Sequence, residues 1–307
     1  MRKSEGGPSG PRICAVIVSI RDDMIRGCLN SILKADSPKI DEITAVTSYN
    51  ADELKKEYPS VNFILLPEKS ISRKRNVGIM NTEADIIAFT DDDCSVSTGW
   101  AAGIKELLFE KGYQAVFGRT IVEKSGNPFN TELEKPGFRT CNAFFRRDAL
   151  IKAGCFDERF DIQREDSDIT FTIIENGGRY FFSEKNTVIH RKRKDSYFDL
   201  SKSASRTAYD LMLKKKHPVL FKKFKERLIP LKYLPFAFLL FFAAAGTFLE
   251  YRITLYSIIL YFIYSGVLSF IYFKGSFIRF LSGFFDFCTA PLIRFSGLIK
   301  YFTRGKN

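Results

Sequence analysis

Asp91, Asp92 and Asp93 stand together at the end of the apolar run 86–90, Ile-Ile-Ala-Phe-Thr. Three adjacent carboxylates repel one another unless a cation compensates them. Oxygen ligands favour a hard divalent ion, Mg²⁺ or Mn²⁺, and such ions commonly bridge to substrate phosphates. The run before the acids is short and β-branched, as a buried strand of a parallel sheet reads. Such a strand delivers its last residues to the rim of the sheet, where ligands bind in open α/β folds. For the triplet alone, a solvated acidic turn is the plainer alternative.

Three further stretches carry chemistry. Ser70-Ile71-Ser72-Arg73-Lys74-Arg75-Asn76-Val77-Gly78 follows a strand-like run and Pro67. Ser70 or Ser72 can cap a helix there, and a helix N-terminus with Arg and Lys in its first turn is an anion site. A solvated basic face is the alternative. From Asn142 to Phe160 a strand meets a short helix and then a Gly-led loop holding Asp157 and Glu158. Asp157 reads equally as a turn cap and as a ligand contact. Glu165-Asp166-Ser167-Asp168 runs into an amphipathic helix, where acids also serve as caps.

The elements that must position these residues read as an α/β domain with a largely parallel sheet. Strand-like runs fall at 13–19, 43–47, 61–66, 86–90, 115–118, 142–146 and 179–183, with helix-like stretches between most of the first ones. The six cysteines, Cys14, Cys28, Cys94, Cys141, Cys155 and Cys288, form no C-x-x-C and read as reduced thiols of a cytosol-facing domain. Residues 1–12 are polar and Gly/Pro-rich, a flexible tail rather than a signal peptide.

The net charge of +12 is local. Residues 191–232 hold fourteen Lys/Arg against four Asp/Glu. A basic belt beside a hydrophobic tail points to anionic lipid headgroups and away from nucleic acid. Residues 233–249 and 253–273 carry no charge, and only Glu250, Tyr251 and Arg252 lie between them. Both runs are near the length that crosses a hydrocarbon core of roughly 30 Å. A two-span hairpin follows, with both outer ends in the cytoplasm. A pair of buried soluble helices is the alternative. In 276–303, Arg279, Asp286, Arg294 and Lys300 recur broadly along one helical face, with Pro291 interrupting. That segment reads as an interfacial amphipathic helix, with a distorted third span as the alternative. Residues 198–228 read as a juxtamembrane helical region.

In order and spacing, the four motifs together resemble the inverting family 2 glycosyltransferases of GT-A fold over roughly residues 11–195. Phe89-Thr90-Asp91-Asp92-Asp93-Cys94 is similar to the family's D-x-D element, and Arg75-Asn76-Val77-Gly78 to its R-N-x-G helix. Asn142 to Phe160 is similar to its acceptor-side stretch, and Glu165-Asp166-Ser167-Asp168 to its E-D-x-D element. The resemblance implies direct displacement at a sugar anomeric carbon, with the chain divided into a tail (1–12), a GT-A domain (13–195), a basic juxtamembrane region (196–232), the hairpin (233–273) and the amphipathic segment (274–307). It implies Asp166 as general base with Glu165 beside it. Arg73, Arg75, Asn76, Asp91 and Asp92 fall on the donor side, and Asp157, Glu158 and Asp168 on the acceptor side. Asp91, Asp93 and the late His190 would hold the cation. The chain departs from the family where relatives carry V-D-D-G-S, reading Val46-Thr47-Ser48-Tyr49-Asn50 instead. It has no Q-x-x-R-W, and its one tryptophan, Trp100, is misplaced for that motif. The implied activity is transfer of one sugar from a nucleotide sugar to a lipid-linked or glycan acceptor at the cell membrane, the catalytic domain facing the cytoplasm. Sugar transfer to polyprenyl phosphate and a non-catalytic nucleotide-binding scaffold are the alternatives.

Overall fold

The computed structural model describes residues 10–35, 39–123, 136–191, 201, 204, 206–224, 226, 228, 231–272 and 277–304. The chain divides into two units: Met1–Ser125 with Phe129–Lys192, and Gly126–Pro128 with Arg193–Asn307. The reading of residues 1–9 as a tail, and of the helical region at 192–200, lies outside the described residues.

The first unit runs β1 (Ile13–Ser19), α1 (Ile25–Leu33), β2 (Glu42–Thr47), α2 (Asp52–Glu57), β3 (Val61–Leu65), α3 (Ile71–Met80), β4 (Ile86–Asp91) and β5 (Cys94–Val96). After a π-helical turn at Glu106–Glu110 come β6 (Ala115–Val122), β7 (Asn142–Arg146), α4 (Arg147–Lys152), α5 (Glu165–Glu175) and β8 (Tyr180–His190). The eight strands form one sheet in the order β3-β2-β1-β4-β7-β6-β8-β5. β1 is parallel to β2 and β4, β2 to β3, and β6 to β8, whereas β7 is antiparallel to β4 and β6, and β5 to β8. Strand order reverses between β1 and β4, so their carboxyl ends open on the crevice where such sheets bind ligands.

Every residue of β1 is buried. A strand with layers on both faces needs an apolar residue at every position. Ile13, Ala15 and Ile17 join one core cluster with α1 and Trp100, while Cys14 and Val16 join the other with Phe89, Phe145 and Phe156. Trp100 is fully buried, and its indole Nε1 donates to Asn142 Oδ1 at 2.9 Å.

The strands differ from the sequence reading in three places. β5 is new. β6 runs on to Val122, and β8 joins the two apolar runs around 179–183 and 187–190 into one strand. The cause is a bulge: Gly118 pairs with Ser183, but Arg119 pairs with Thr187. A side chain on Gly118 would begin 2.3 Å from the Asn186 carbonyl oxygen, so only glycine fits beneath the bulged backbone.

The second unit is helical: α6 (Thr207–Lys216), α7 (Pro218–Lys223), α8 (Leu234–Leu249), α9 (Tyr251–Tyr272) and α10 (Phe277–Arg304). Leu231–Leu249 and Tyr251–Tyr272 are long and apolar enough to cross a membrane, with mean hydropathies of 1.6 and 1.8. At 1.5 Å per residue α9 is about 33 Å long. The hairpin closes tightly, with the Thr254 hydroxyl donating to the Ala243 carbonyl at 3.0 Å. In α10 the polar face is covered by protein. Asp286 accepts from the Ser201 amide and hydroxyl at 2.9 and 2.6 Å, and Arg294 pairs with Asp210 at 2.6 Å. The side chains of Arg279 and Lys300, read as part of that face, lie outside the described residues.

α3 lies directly on β1. A Cβ on Gly78 would stand 2.3 Å from Val16 Cγ1. Gly78→Ala is therefore expected to destabilise the first unit by about 1–3 kcal/mol, the usual cost of overpacking. Denaturant unfolding of the detergent-solubilised protein, followed by Trp100 fluorescence, measures it; an unchanged midpoint would mean that α3 can move off the strand.

Candidate active site

β4 ends with Asp91 opposite Val18 in the ladder, so the acids emerge beside the end of β1. Asp92 turns toward that strand. Its Oδ2 accepts the Ser19 hydroxyl at 2.7 Å, and the Ser19 oxygen lies 2.9 Å from the Tyr49 hydroxyl. Burial pushes the Asp92 carboxyl up to about 6, and the charges of Asp93 and Asp91 add to it.

Asp93 faces β8 instead. Its Oδ1 is 3.3 Å from His190 Nε2 and 3.9 Å from the Cys94 sulfur. One ligating atom from each of Asp93, Cys94 and His190 falls within 4.8 Å of the others. Backbone pairing sets this arrangement, because Cys94 and His190 are partners in the β5–β8 ladder and the Arg191 amide donates to the Asp93 carbonyl at 2.8 Å. His190 is 2% exposed. Its Nδ1 lies 2.8 Å from the Arg191 carbonyl oxygen. A carbonyl only accepts, so Nδ1 carries a hydrogen, and Nε2 is the ring nitrogen turned toward the carboxylate. A carboxylate, a thiol and an imidazole nitrogen turned to one point make a cation-ligand set, and metal-bound histidines are held in the same way, with one ring nitrogen on a carbonyl. The residues therefore fit a divalent cation. The Cys94 thiol is held far above its ordinary value by its hydrogen bond with Cys141 and by burial, so it stands there as a neutral thiol.

Asp91 does not join that group; its Oδ1 faces Arg75 Nη2 at 3.5 Å. Arg75 Nη1 reaches Glu165 Oε1 at 2.9 Å, and the guanidinium lies 5.5 Å from the centre of the Phe156 ring. Arg75 comes from α3, where Ser70 is the cap and accepts the Arg73 amide at 3.3 Å. The other cations of that turn also have protein partners. Arg73 pairs with Glu68 at 2.8 Å on the surface, and the buried Lys74 ammonium donates to the Leu66 carbonyl.

The rest of α3 holds the loop between α4 and α5. Asn76 Oδ1 accepts the Phe156 amide and its Nδ2 donates to the Phe156 carbonyl, both at 2.9 Å. Nδ2 also lies 3.2 Å from Glu158 Oε1. Ser72 donates to the Phe160 carbonyl, and the Ile71 amide to that of Asp161 at 3.2 Å. Asp157 is engaged by Arg159 at 2.6 Å. Cys155 and Arg164, at the two ends of this loop, have φ of 61° and 72°. Both are left-handed conformations that cost a side-chain-bearing residue energy.

α5 then opens with Glu165 on Arg75. Asp166 Oδ1 accepts the Ser167 amide at 2.7 Å, and Asp168 is 2% exposed. Asp166 is only partly covered. Burial, then the Glu165 charge, push its carboxyl up to about 7. The structure thus brings Asp91, Arg75, Glu165 and Asp166 together on one side, and Asp93 and His190 on the other. Arg73 stands apart. Ser19, Tyr49 and Cys94 received no role in the sequence reading, although Ser19 ends β1 and Tyr49 lies just past β2, where the sheet rule places ligands.

The family description "Glycosyl transferase family 2" matches residues 14–157, from β1 through the acids to Asp157. That match covers just under half of the chain. The succinoglycan biosynthesis protein ExoM of Rhizobium meliloti (strain 1021) is 30% identical over 157 residues, 44% of this chain and 49% of that protein. The chain thus spans about half the length of the curated relative it matches. The mannosyltransferase PcManGT of Pyrobaculum calidifontis, solved with GDP-Man and Mn²⁺, superposes with a TM-score of 0.63 at 18% identity, over 96% of this chain and 88% of that one. GalNAc-T7, solved with UDP, GalNAc and Mn²⁺, superposes at 0.51 and 15% identity, over 62% of this chain and 45% of that one. These likenesses show the fold, which is GT-A.

The cation site is expected to be separable from the carboxylates gathered on Arg75. Asp93→Ala and His190→Ala are each expected to weaken Mn²⁺ binding by at least about 10-fold. Titration calorimetry on the donor-free protein reads this directly, and wild-type affinity in both variants would move the cation elsewhere.

Proposed function

We propose that the protein is a membrane-anchored, metal-dependent glycosyltransferase that moves one sugar from a nucleotide-sugar donor to a lipid-linked or membrane-proximal acceptor with inversion. The observation that carries this reading is the convergence of the strand-end Asp91 and of Glu165, the neighbour of Asp166, on the single guanidinium of Arg75. Donor-side and acceptor-side motifs far apart in sequence thereby form one site.

Asp166 is the general base. It takes the proton of the acceptor hydroxyl as that oxygen attacks the anomeric carbon from the face opposite the leaving group, which inverts the centre. A carboxyl titrating near 7 is matched to the task, because a base works best when its pKa lies near the operating pH. Glu165 stays beside it, held by Arg75. Asp93 and His190 would hold a divalent cation, which would supply positive charge against a leaving diphosphate. Ser19, Tyr49 and Asp92 line the β1 side of the crevice, where the donor's nucleoside falls.

The two apolar helices and the basic belt favour an acceptor confined to the bilayer, since shared anchoring raises effective concentration. Asp210 and Arg294, on opposite flanks of the hairpin, are in contact, as are Ser201 and Asp286. These contacts between the two flanks support a hairpin that leaves and returns through the same face of the membrane. A cysteine placed at Glu250 is expected to be labelled only from the far side of the membrane. Labelling from the cytoplasmic side would mean that the helices lie flat or re-enter.

Asp166→Asn is expected to lower turnover by roughly 10²–10⁴ while donor binding stays near normal. The sign with pH follows from the raised value: below about 7 the wild-type base is protonated, so its rate falls as pH falls and levels off above. Turnover with a panel of nucleotide sugars and Mn²⁺ between pH 5 and 9 tests both points. Wild-type turnover in the variant would return Asp166 to the role of a helix cap.

A further inference from the structure

Glu165 and Asp166 are adjacent carboxylates at the start of one helix, and the chemistry needs one of them to take a proton. What distinguishes them is their partner. Glu165 is 8% exposed and its Oε1 is 2.9 Å from Arg75. Asp166 takes only a backbone amide on Oδ1 and remains partly open to the site. Arg75 is itself 4% exposed and braced by Asp91 at 3.5 Å and by the face of Phe156. It therefore cannot swing freely between the two acids. We propose that Arg75 is a positioning residue rather than a donor-binding one: it fixes the negative charge on Glu165, so that Asp166 is the carboxylate that takes the proton. This assignment rests on the glycosyltransferase reading for its purpose but not for its test.

The groups that face Asp166 are few. Glu165 and Arg164 come from its own helix start, and Arg75 comes from α3. Glu165 opposes ionisation of Asp166, while Arg75 and Arg164 favour it. Removing the two principal neighbours must then move Asp166 in opposite directions. Without Arg75 the pair loses its cation, and the doubly ionised state forms only at higher pH. Without the Glu165 charge, Asp166 ionises at lower pH. A residue that merely braced the fold would not give shifts of opposite sign.

The experiment is a carbon-13 carboxyl titration of the full-length, detergent-solubilised protein labelled at Asp, with Asp166→Asn identifying the signal. The Asp166 midpoint is expected to rise by about one pH unit or more in Arg75→Met, the size of shift a neighbouring charge commonly produces. It is expected to fall by a similar amount in Glu165→Gln. Arg75→Lys keeps a cation that cannot serve both carboxylates at once, and is expected to lie between wild type and Arg75→Met. If Arg75→Met fails to fold, the Arg75→Lys and Glu165→Gln pair carries the comparison. Shifts in the same direction, or none, overturn the assignment. Opposite shifts in a protein that transfers no sugar from any nucleotide sugar would uphold Arg75 as the charge-fixing residue and defeat the transferase reading alone.

Discussion

A guanidinium that is 4% exposed is costly to bury unless its charge is answered nearby. Arg75 is answered twice, by Glu165 at 2.9 Å and by Asp91 at 3.5 Å. The two acids come from the end of a strand and the start of a helix that share no hydrogen-bonded ladder. Removing the cation would leave two carboxylates without compensation at the rim of the sheet, a larger penalty than the pair's own attraction would suggest. Much else is arranged around keeping this group in place. Gly78 lets its helix sit against β1, Ser70 caps the helix start, and Phe156 covers the guanidinium face.

The same helix holds the loop between α4 and α5 in a conformation it would not choose alone. Two left-handed residues that are not glycine cost of order 1–3 kcal/mol each. The hydrogen bonds from Asn76, Ser72 and the Ile71 amide hold the loop between them. The bonds from α3 to this loop span 80 to 90 positions of sequence, so loop geometry and helix placement are one tertiary fact. The result is a loop held in one conformation by bonds from α3, and a preordered loop lowers the ordering cost of any binding it takes part in.

Much of this was readable from the chain. An apolar run that stops abruptly in carboxylates has few physical explanations, and the acids do end β4 at the reversal of strand order. The capping serine and the two spans were open to the same local reasoning. What stayed hidden depends on partners distant in sequence. A turn with three cations reads as an anion site, yet the structure gives Arg73, Lys74 and Arg75 a carboxylate, a carbonyl and two carboxylates of the protein itself. β5 has three residues, too few for a pattern, and exists because β8 lies beside it. The spacing of Asp286 and Arg294 shows one helical face but not what covers it, which is Ser201 and Asp210.

The bulge in β8 acts as a ruler. Residues 184–186 fall out of register with β6 between the pairs Gly118–Ser183 and Arg119–Thr187, and everything beyond them is counted from that step. His190 reaches Asp93 only because the count brings it opposite Cys94. In a strand a slip of one residue turns every following side chain to the opposite face. Gaining or losing a single residue in this surface-facing bulge would therefore point His190 away from the acids without disturbing any atom of the site itself. Length here is as strict a requirement as the identity of the histidine, whereas composition is open only at the exposed Glu184 and Lys185, because the buried Asn186 side chain donates to the Trp100 and Ala102 carbonyls.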